Sequence, residues 1–324
     1  MKALPAWLSL RSPAAPTAAI DISVNRVTAA SVESRGNGFA VTAHAVEVLP
    51  EGALVPSLTN PNLRDRASVA AAVRRMLEAI GRPRRVALAV PDPVAKVSLV
   101  RFEKIPDRAQ ELEQVVRWQV RKTAPFPIEE AQVSYFPGAS SADGHEFVVS
   151  LARRQVIEEY EGLCAAGGAH AGLVDISTFN VINSVMAAGP SRGKDWLLVN
   201  VAPDYASIAV LRDGDLILFR SRGADADGTL ADLVHQTAMY YEDRLQGSGF
   251  GQVLLCGAAA AQGRQATDAE QIRRSLEERL QTSVDTVDVR SAAALSDRIS
   301  ASQALLDTLA PVVGALVRDR GVAA

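Results

Sequence analysis

The chain has little cysteine, little histidine, no long apolar run and no excess of charge of one sign. Cys164 and Cys256 are the only cysteines and lie far apart in the sequence. One pair cannot build a disulfide framework and offers no metal spacing, so both read as core thiols in a reducing cytoplasm. His44, His145, His170 and His235 are scattered. None has a second ligand at helical or loop spacing, which leaves no basis for a zinc-type site. No apolar stretch approaches the ~20 residues of a membrane span, so no transmembrane segment is expected. A formal net charge of −3 gives nucleic acid no electrostatic footprint to bind. The start holds a short apolar patch (Leu4, Trp7, Leu8, Leu10) closed by Pro13 and Pro16. It lacks a full signal-peptide core, and residues 1–16 read as a flexible tail.

What is present is ordinary globular material. The 324 residues suffice for two domains. The hydrophobic share of 48% and charged share of 22% are those of a soluble protein with a packed core.

One further absence falls inside a repeat. Ala19-Ile20-Asp21-Ile22-Ser23-Val24-Asn25-Arg26-Val27-Thr28 reads as strand, turn, strand. The same pattern returns 179 residues later in Leu197-Leu198-Val199-Asn200-Val201-Ala202-Pro203-Asp204-Tyr205-Ala206-Ser207-Ile208. Each copy has an apolar strand, a polar side chain at its end, a tight turn and a second apolar strand. A duplicated hairpin of this kind predicts two related domains facing a cleft. Glycine in such a turn lets backbone N–H groups approach a phosphate with no Cβ intervening. A carboxylate at the first strand's end can hold a water on Mg²⁺. Both copies lack that glycine.

The remaining elements support duplication. Strands are predicted at 18–24, 26–33 and 39–48, the last two joined through Gly36-Asn37-Gly38. A helix follows from Ser68, read as its N-cap, to Ile80, and then a strand at 85–90 closed by Pro91-Asp92-Pro93. Residues 98–154 read as an inserted α+β subdomain. It has a strand at 96–102, a helix at 108–122 capped by a box of Asp107 and Gln110, and strands at 131–136 and 145–151. Helix 153–166, strand 171–175 and a helix capped by Asp175 precede the linker Gly189-Pro190-Ser191-Arg192-Gly193. Strands at 196–201, 205–211 and 215–221 repeat the opening pattern, with Arg212-Asp213-Gly214-Asp215 as a hairpin turn. Helix 227–246, strand 253–256, helix 268–281, strand 284–289 and helix 302–318 close the chain. The order βββαβ followed by βββαβα is that of an α/β duplication. The expected domains are 17–97 with 155–190 and 302–320, the insert, and 191–301.

Several side chains have competing readings. Asp204 is a second-turn carboxylate or a turn aspartate bonded to its own backbone. Lys96 reaches a phosphate or is a solvated strand-end lysine. Trp118 is a partner contact or a partly buried edge of its helix stripe. Arg117, with Arg121, forms a basic face, Glu113 offering Arg117 an i,i+4 partner.

At this point the residues resemble a family. Asp21-Ile22-Ser23, Asn200-Val201-Ala202, Leu254-Leu255-Cys256-Gly257-Ala258 and Arg121-Lys122-Thr123-Ala124-Pro125-Phe126-Pro127-Ile128-Glu129-Glu130 stand in an order and spacing similar to those of PilM-type type IV pilus assembly proteins. These belong to the actin-like ATPase superfamily that includes FtsA. The resemblance covers about residues 17–320. It implies an α/β fold of two actin-like (ribonuclease H-like) domains facing a cleft, with a small α+β insert. It places ATP with Mg²⁺ against Asp21, Ser23 and Asn25 in the first hairpin, with Asp21 toward the metal. Asn200, Ala202, Asp204 and Ser207 serve in the second hairpin, Gly223 beyond it, Glu242 on a flanking helix, and Gly257 and Ala258 in the adenosine loop. Here Ser23 and Ala202 replace glycines, Asn200 replaces an aspartate, and Ala258 is expected to narrow the adenosine loop, as a second glycine is usual there. These departures imply weakened or absent ATP binding and no efficient ATPase.

The resemblance also implies a cytoplasmic scaffold, peripheral on the inner membrane. Its partners would be the cytoplasmic N-terminal peptide of a PilN-like inner-membrane protein and the pilus assembly motor complex. The partner surface would lie on the insert, at Trp118, Arg121, Phe126 and Ile128. Two alternatives share the superfold: the cytoplasmic domain of a general secretion L-type protein without nucleotide, and a small-molecule kinase.

Overall fold

The computed structural model describes residues 15–36, 38–141, 144–189, 193–261, 269–295 and 301–318. Most of the expected tail, the middle of the 189–193 linker, part of the Gly36-Asn37-Gly38 turn, the expected helix start at 268 and the expected domain end at 319–320 lie outside these residues.

The first lobe opens with an antiparallel meander of β1 (Ala18–Ser23), β2 (Arg26–Arg35) and β3 (Gly38–Val48). Helix α1 (Arg66–Ala79) then leads into β4 (Arg85–Val90), parallel to β1. The apolar stripe Val69, Val73, Met76, Leu77 and Ile80 is buried, as its period predicts. The helix starts earlier than predicted. Asp65 is the cap, and its carboxylate accepts the Ser68 N–H at 3.1 Å; Ser68 is three residues inside.

Beyond a short 3-10 turn at Asp92–Val94 lies the insert. It comprises β5 (Ala95–Phe102), α2 (Ala109–Arg121), β6 (Ala131–Ser141) and β7 (Gly144–Arg153), with sheet order β5-β7-β6. Val100, Val116, Val120, Phe147, Val149 and Leu151 form its own core. The expected capping box is not formed. Arg108 holds the cap position of α2 without a side-chain bond, which leaves Asp107 one residue too early to reach the helix amides.

The first lobe resumes with α3 (Arg154–Ala166), β8 (His170–Ile176), parallel to β4, and α4 (Ser177–Ala188). Ile176 caps α4, so Asp175 stands outside the helix. Its carboxylate accepts the Ile176 N–H at 2.9 Å and faces Arg318 at 3.4 Å.

The second lobe repeats the plan with β9 (Trp196–Val201), β10 (Tyr205–Arg212), β11 (Asp215–Gly223), α5 (Leu230–Leu245), β12 (Gln252–Cys256), α6 (Ala269–Leu280) and β13 (Asp285–Thr286). Its sheet order, β11-β10-β9-β12-β13, matches the first lobe's β3-β2-β1-β4-β8 strand for strand. Asp213 and Gly214 both take positive φ, 50° and 93°, in the β10–β11 turn, as a two-residue hairpin loop demands. β14 (Ala294–Leu295) then pairs with β3, and α7 (Gln303–Val317) ends the described chain.

Helices α4 and α7 pack on each other and lie between the two sheets. Both are buried over most of their circumference, α7 with an almost wholly apolar sequence and α4 with Ser177, Thr178, Asn180 and Ser184 among its buried residues. Strand alternation explains how the second sheet serves two layers. Trp196 and Leu198 of β9 join the shared core with α4 and α7, while Leu197 and Val199 point to the α5–α6 side. A ladder of edge-on rings joins all three modules: Phe136 of the insert meets Phe179 of α4 at 6.0 Å, and Phe179 meets Phe219 of β11 at 5.5 Å. Cys164 and Cys256 are buried free thiols.

The α4–α7 approach rests on Gly314. A Cβ there would stand 1.6 Å from the Asn180 carbonyl oxygen, so no side chain fits without separating the helices. Gly314→Ala is expected to cost about 3 kcal/mol, at the upper end for overpacking, and a thermal melt against wild type measures it.

Candidate functional site

The repeat determines what meets at the seam between the lobes. Asp21 sits opposite Thr28 across β1–β2, and Asn200 sits opposite Ser207 across β9–β10. Both pairs are buried. Asn200 continues the Trp196–Leu198 face of β9 and Ser207 the Ala209–Leu211 face of β10, so both point at the N-terminus of α4.

There they join groups of the first lobe. Asn200 Nδ2 donates to Thr178 Oγ1 at 2.7 Å. The Thr178 N–H donates to Asp92 Oδ1 at 3.0 Å, and the hydroxyls of Thr178 and Ser207 both donate to Asp92 Oδ2. Ser177 Oγ donates to Asp21 Oδ1 at 2.6 Å. Asp92 belongs to the first lobe and Ser207 to the second, so one carboxylate takes donors from both. Bonds to a charged acceptor are the strong kind, and this one is only 1% exposed.

A second crossing lies nearer the hairpin turns. Arg26 Nη1 donates to the Ala260 carbonyl at 2.9 Å. Asp307 of α7 accepts the Ala259 N–H at 2.9 Å. Gly257 makes that loop possible. Its φ is +82°, and a Cβ would stand 2.1 Å from the Val201 carbonyl oxygen.

The site is rich in buried carboxylates. Burial pushes Asp92 up to about 6, against the bonds from Ser207 and Thr178 that hold it down. Burial likewise raises Asp175 and Asp204 to about 6, and raises Asp21 against its bond from Ser177 and the charge of Arg26.

The residues expected to hold ATP divide into groups. Asp21, Asn200 and Ser207 come together in the seam. Ser23 and Asn25 sit in the first turn, where Ser23 Oγ donates to Asn25 Oδ1 at 3.3 Å. The Ala202 N–H donates to the Tyr205 carbonyl at 2.8 Å, which closes the second turn on itself. Asp204 and Gly223 line a cavity that reaches the seam at Asp92 and is bordered by Asp225. The Ala258 methyl is buried in the second lobe's core, so it fills that core rather than narrowing the cleft loop. Glu242 is exposed on α5. Sequence reasoning passed over Asp92, Ser177, Thr178, Arg26 and Asp307. A carboxylate between two prolines after an apolar strand was the available signal for Asp92.

The residues present fit a Mg²⁺-bound triphosphate poorly. The Ala202 and Ala259 amides already have acceptors, Asn200 donates to Thr178, and Asp21 is engaged by the Ser177 hydroxyl. No group of three or more metal-binding side chains stands together among the described residues.

The expected partner residues also divide. Trp118 is 62% exposed, not the partly buried helix edge that is its alternative reading, with Lys122 Nζ 5.6 Å from its ring centre. Arg121 is exposed beside it, whereas Phe126 and Ile128 pack on the insert's core. Arg117 donates to the Ile128 carbonyl at 2.8 Å, a bond that ties the helix to its following loop in place of a purely solvated face. Lys96 donates to the Thr123 carbonyl at 2.8 Å.

The pH dependence has a definite sign. A carboxyl raised by folding stabilises the fold while protonated, and that stability is lost as pH rises through about 6. Melting should therefore rise from pH 7.5 to pH 5, by roughly 1 kcal/mol from Asp92 alone. Asp92→Asn is expected to reduce that slope in calorimetry at the two pH values by the Asp92 share, leaving the part due to Asp175 and Asp204.

The family model described as "Type IV pilus assembly protein PilM" matches residues 19–243. The fold is similar to a solved PilM-PilN type IV pilus biogenesis complex: 17% identity, TM-score 0.77, covering 94% of this chain and 98% of that one. Weaker likeness extends to a Bacteroides thetaiotaomicron protein with an actin-like ATPase fold (11% identity, TM-score 0.49, covering 85% of this chain and 91% of that one). It extends also to the cytoplasmic domain of EpsL of the Vibrio cholerae type II secretion system (12% identity, TM-score 0.44, covering 82% and 94%). With more than half of its length matched, the chain belongs to the type IV pilus assembly PilM family.

Proposed function

We propose that this chain is a cytoplasmic scaffold of type IV pilus assembly that captures the cytoplasmic tail of a PilN-like inner-membrane protein. In this reading it stands on the inner membrane through that partner and serves the assembly motor, with ATP binding weakened or absent. The observation that carries the reading is the correspondence, over 94% of the chain, with a fold solved as a PilM-PilN complex. No helix among the described residues is long and apolar enough to cross a membrane, so the reading leaves anchorage to the partner.

One cavity supports the reading of a bound extended tail. A cavity of about 780 Å³ opens where the first lobe, the root of the insert and β11 meet. Leu54, Val55, Leu58, Val97 and Phe219 give it apolar walls. β5 is an edge strand of the insert sheet, so its outer backbone groups can pair with an added strand while the walls select side chains.

The test is titration of a fluorescent peptide matching the tail of the PilN-like protein. Saturable binding is expected, weakened at least about tenfold, roughly 1.4 kcal/mol, by Val97→Arg. A peptide that fails to bind at any concentration would sink the scaffold reading. Loss of binding in Trp118→Ala with Val97→Arg unaffected would move the site to the exposed face of α2. Calorimetric titration with Mg²⁺ and ATP is expected to show no saturable heat at millimolar nucleotide.

A further inference from the structure

We infer that the two lobes are held at one closed angle by the chain's own side chains, in the place where a bound nucleotide would otherwise join them. This goes beyond the scaffold reading and does not depend on any partner.

Three observations carry it. First, the Asp92 carboxylate accepts from Thr178 of its own lobe and Ser207 of the other, and Asn200 of the second lobe donates to the same Thr178. Separating the lobes would strand a buried carboxylate and a buried amide, and each stranded group is costly. Second, the Arg26 guanidinium spans from the first hairpin turn to Ala260, between the hairpin and the loop expected to face adenosine. Burial raises Asp21 and Asp307, and the Arg26 charge opposes that rise at both. A positive charge among carboxylates at the cleft is what a bound metal would supply, and here it is covalently attached. Third, Asp307 of α7 already holds the Ala259 amide of that loop. The crossings at Asp92, Arg26 and Asp307 lie on different elements, so hinge opening must break all of them together.

A nucleotide changes the lobe angle only by binding one angle better than another. If the closed angle is already supplied, added nucleotide has nothing left to shift.

Two amides report on the latch directly. Thr178 N–H donates to Asp92, and Ala259 N–H donates to Asp307. Hydrogen–deuterium exchange at these amides is measured on the full chain with and without millimolar Mg²⁺ and ATP. The variants are Arg26→Ala, at a partly exposed position, and Ser207→Ala. The amides of Leu198 and Val253, inside the second sheet, serve as the fold control. Both reporter amides are expected to be protected without nucleotide and unchanged by it. Arg26→Ala should speed exchange at Ala259, and Ser207→Ala at Thr178, each by tenfold or more, with Leu198 and Val253 unchanged. Protection that appears only with nucleotide would overturn the inference. So would wild-type exchange at both reporters in the two variants. If Ser207→Ala also loosens Leu198 and Val253, Arg26→Ala alone decides.

Discussion

The pairing of the two lobes depends on two helices with almost no outer surface. Helices α4 and α7 lie between the sheets of the two lobes, and nearly every residue of α7 is buried. Their approach is set by Gly314 against the Asn180 carbonyl. The first two residues of α4 are Ser177 and Thr178, and those two side chains reach Asp21, Asp92 and Asn200. The polar seam is thus positioned by apolar packing. Hydrophobic burial brings the lobes together without direction, and the hydrogen bonds at the helix start choose the angle.

Duplication gave the two lobes the same register, and divergence gave the matched positions different work. Asp21 and Asn200 occupy corresponding sites on the first strands, Thr28 and Ser207 on the second. Yet Ser207 donates across the seam, whereas Thr28 Oγ1 has no partner among the described residues. The position equivalent to Asp92, counted from the ends of β4 and β12, is Ala258, which has joined a hydrophobic core. At this contact the first lobe keeps the acceptor and the second adds a donor, Ser207. That asymmetry lets a single carboxylate bridge two copies of one design.

Much of this fold was legible from residue order alone. Hydrophobic periods of 2 and 3.6 located most strands and helices, because those periods follow from backbone geometry. The second copy was recognisable because Asn200 and Ser207 stand at the same offset as Asp21 and Thr28. Helix starts were less legible. Asp65, Ser68, Asp107 and Asp175 are all good cap residues, and only the three-dimensional position of the first helical amide decides which of them caps. The site was half legible. Asp21, Asn200 and Ser207 lie on the repeat and were found with it. Asp92 comes from a connecting turn and Thr178 and Asp307 from helices α4 and α7, and nothing in their local sequence tells that three segments separated by scores of residues converge. The exposure of Trp118 was similarly hidden, since periodicity locates the centre of a helix stripe better than its edge.

The ring ladder of Phe136, Phe179 and Phe219 has a mechanical meaning. Edge-on pairing has a preferred geometry, so the attitude of each ring constrains the next. Phe179 belongs to α4, the helix whose first residues hold Asp21 and Asp92. The same helix therefore sets both the polar seam between the lobes and the seat of the insert. Arg153 adds a second tie, donating from the end of β7 to the Thr59 carbonyl of the first lobe.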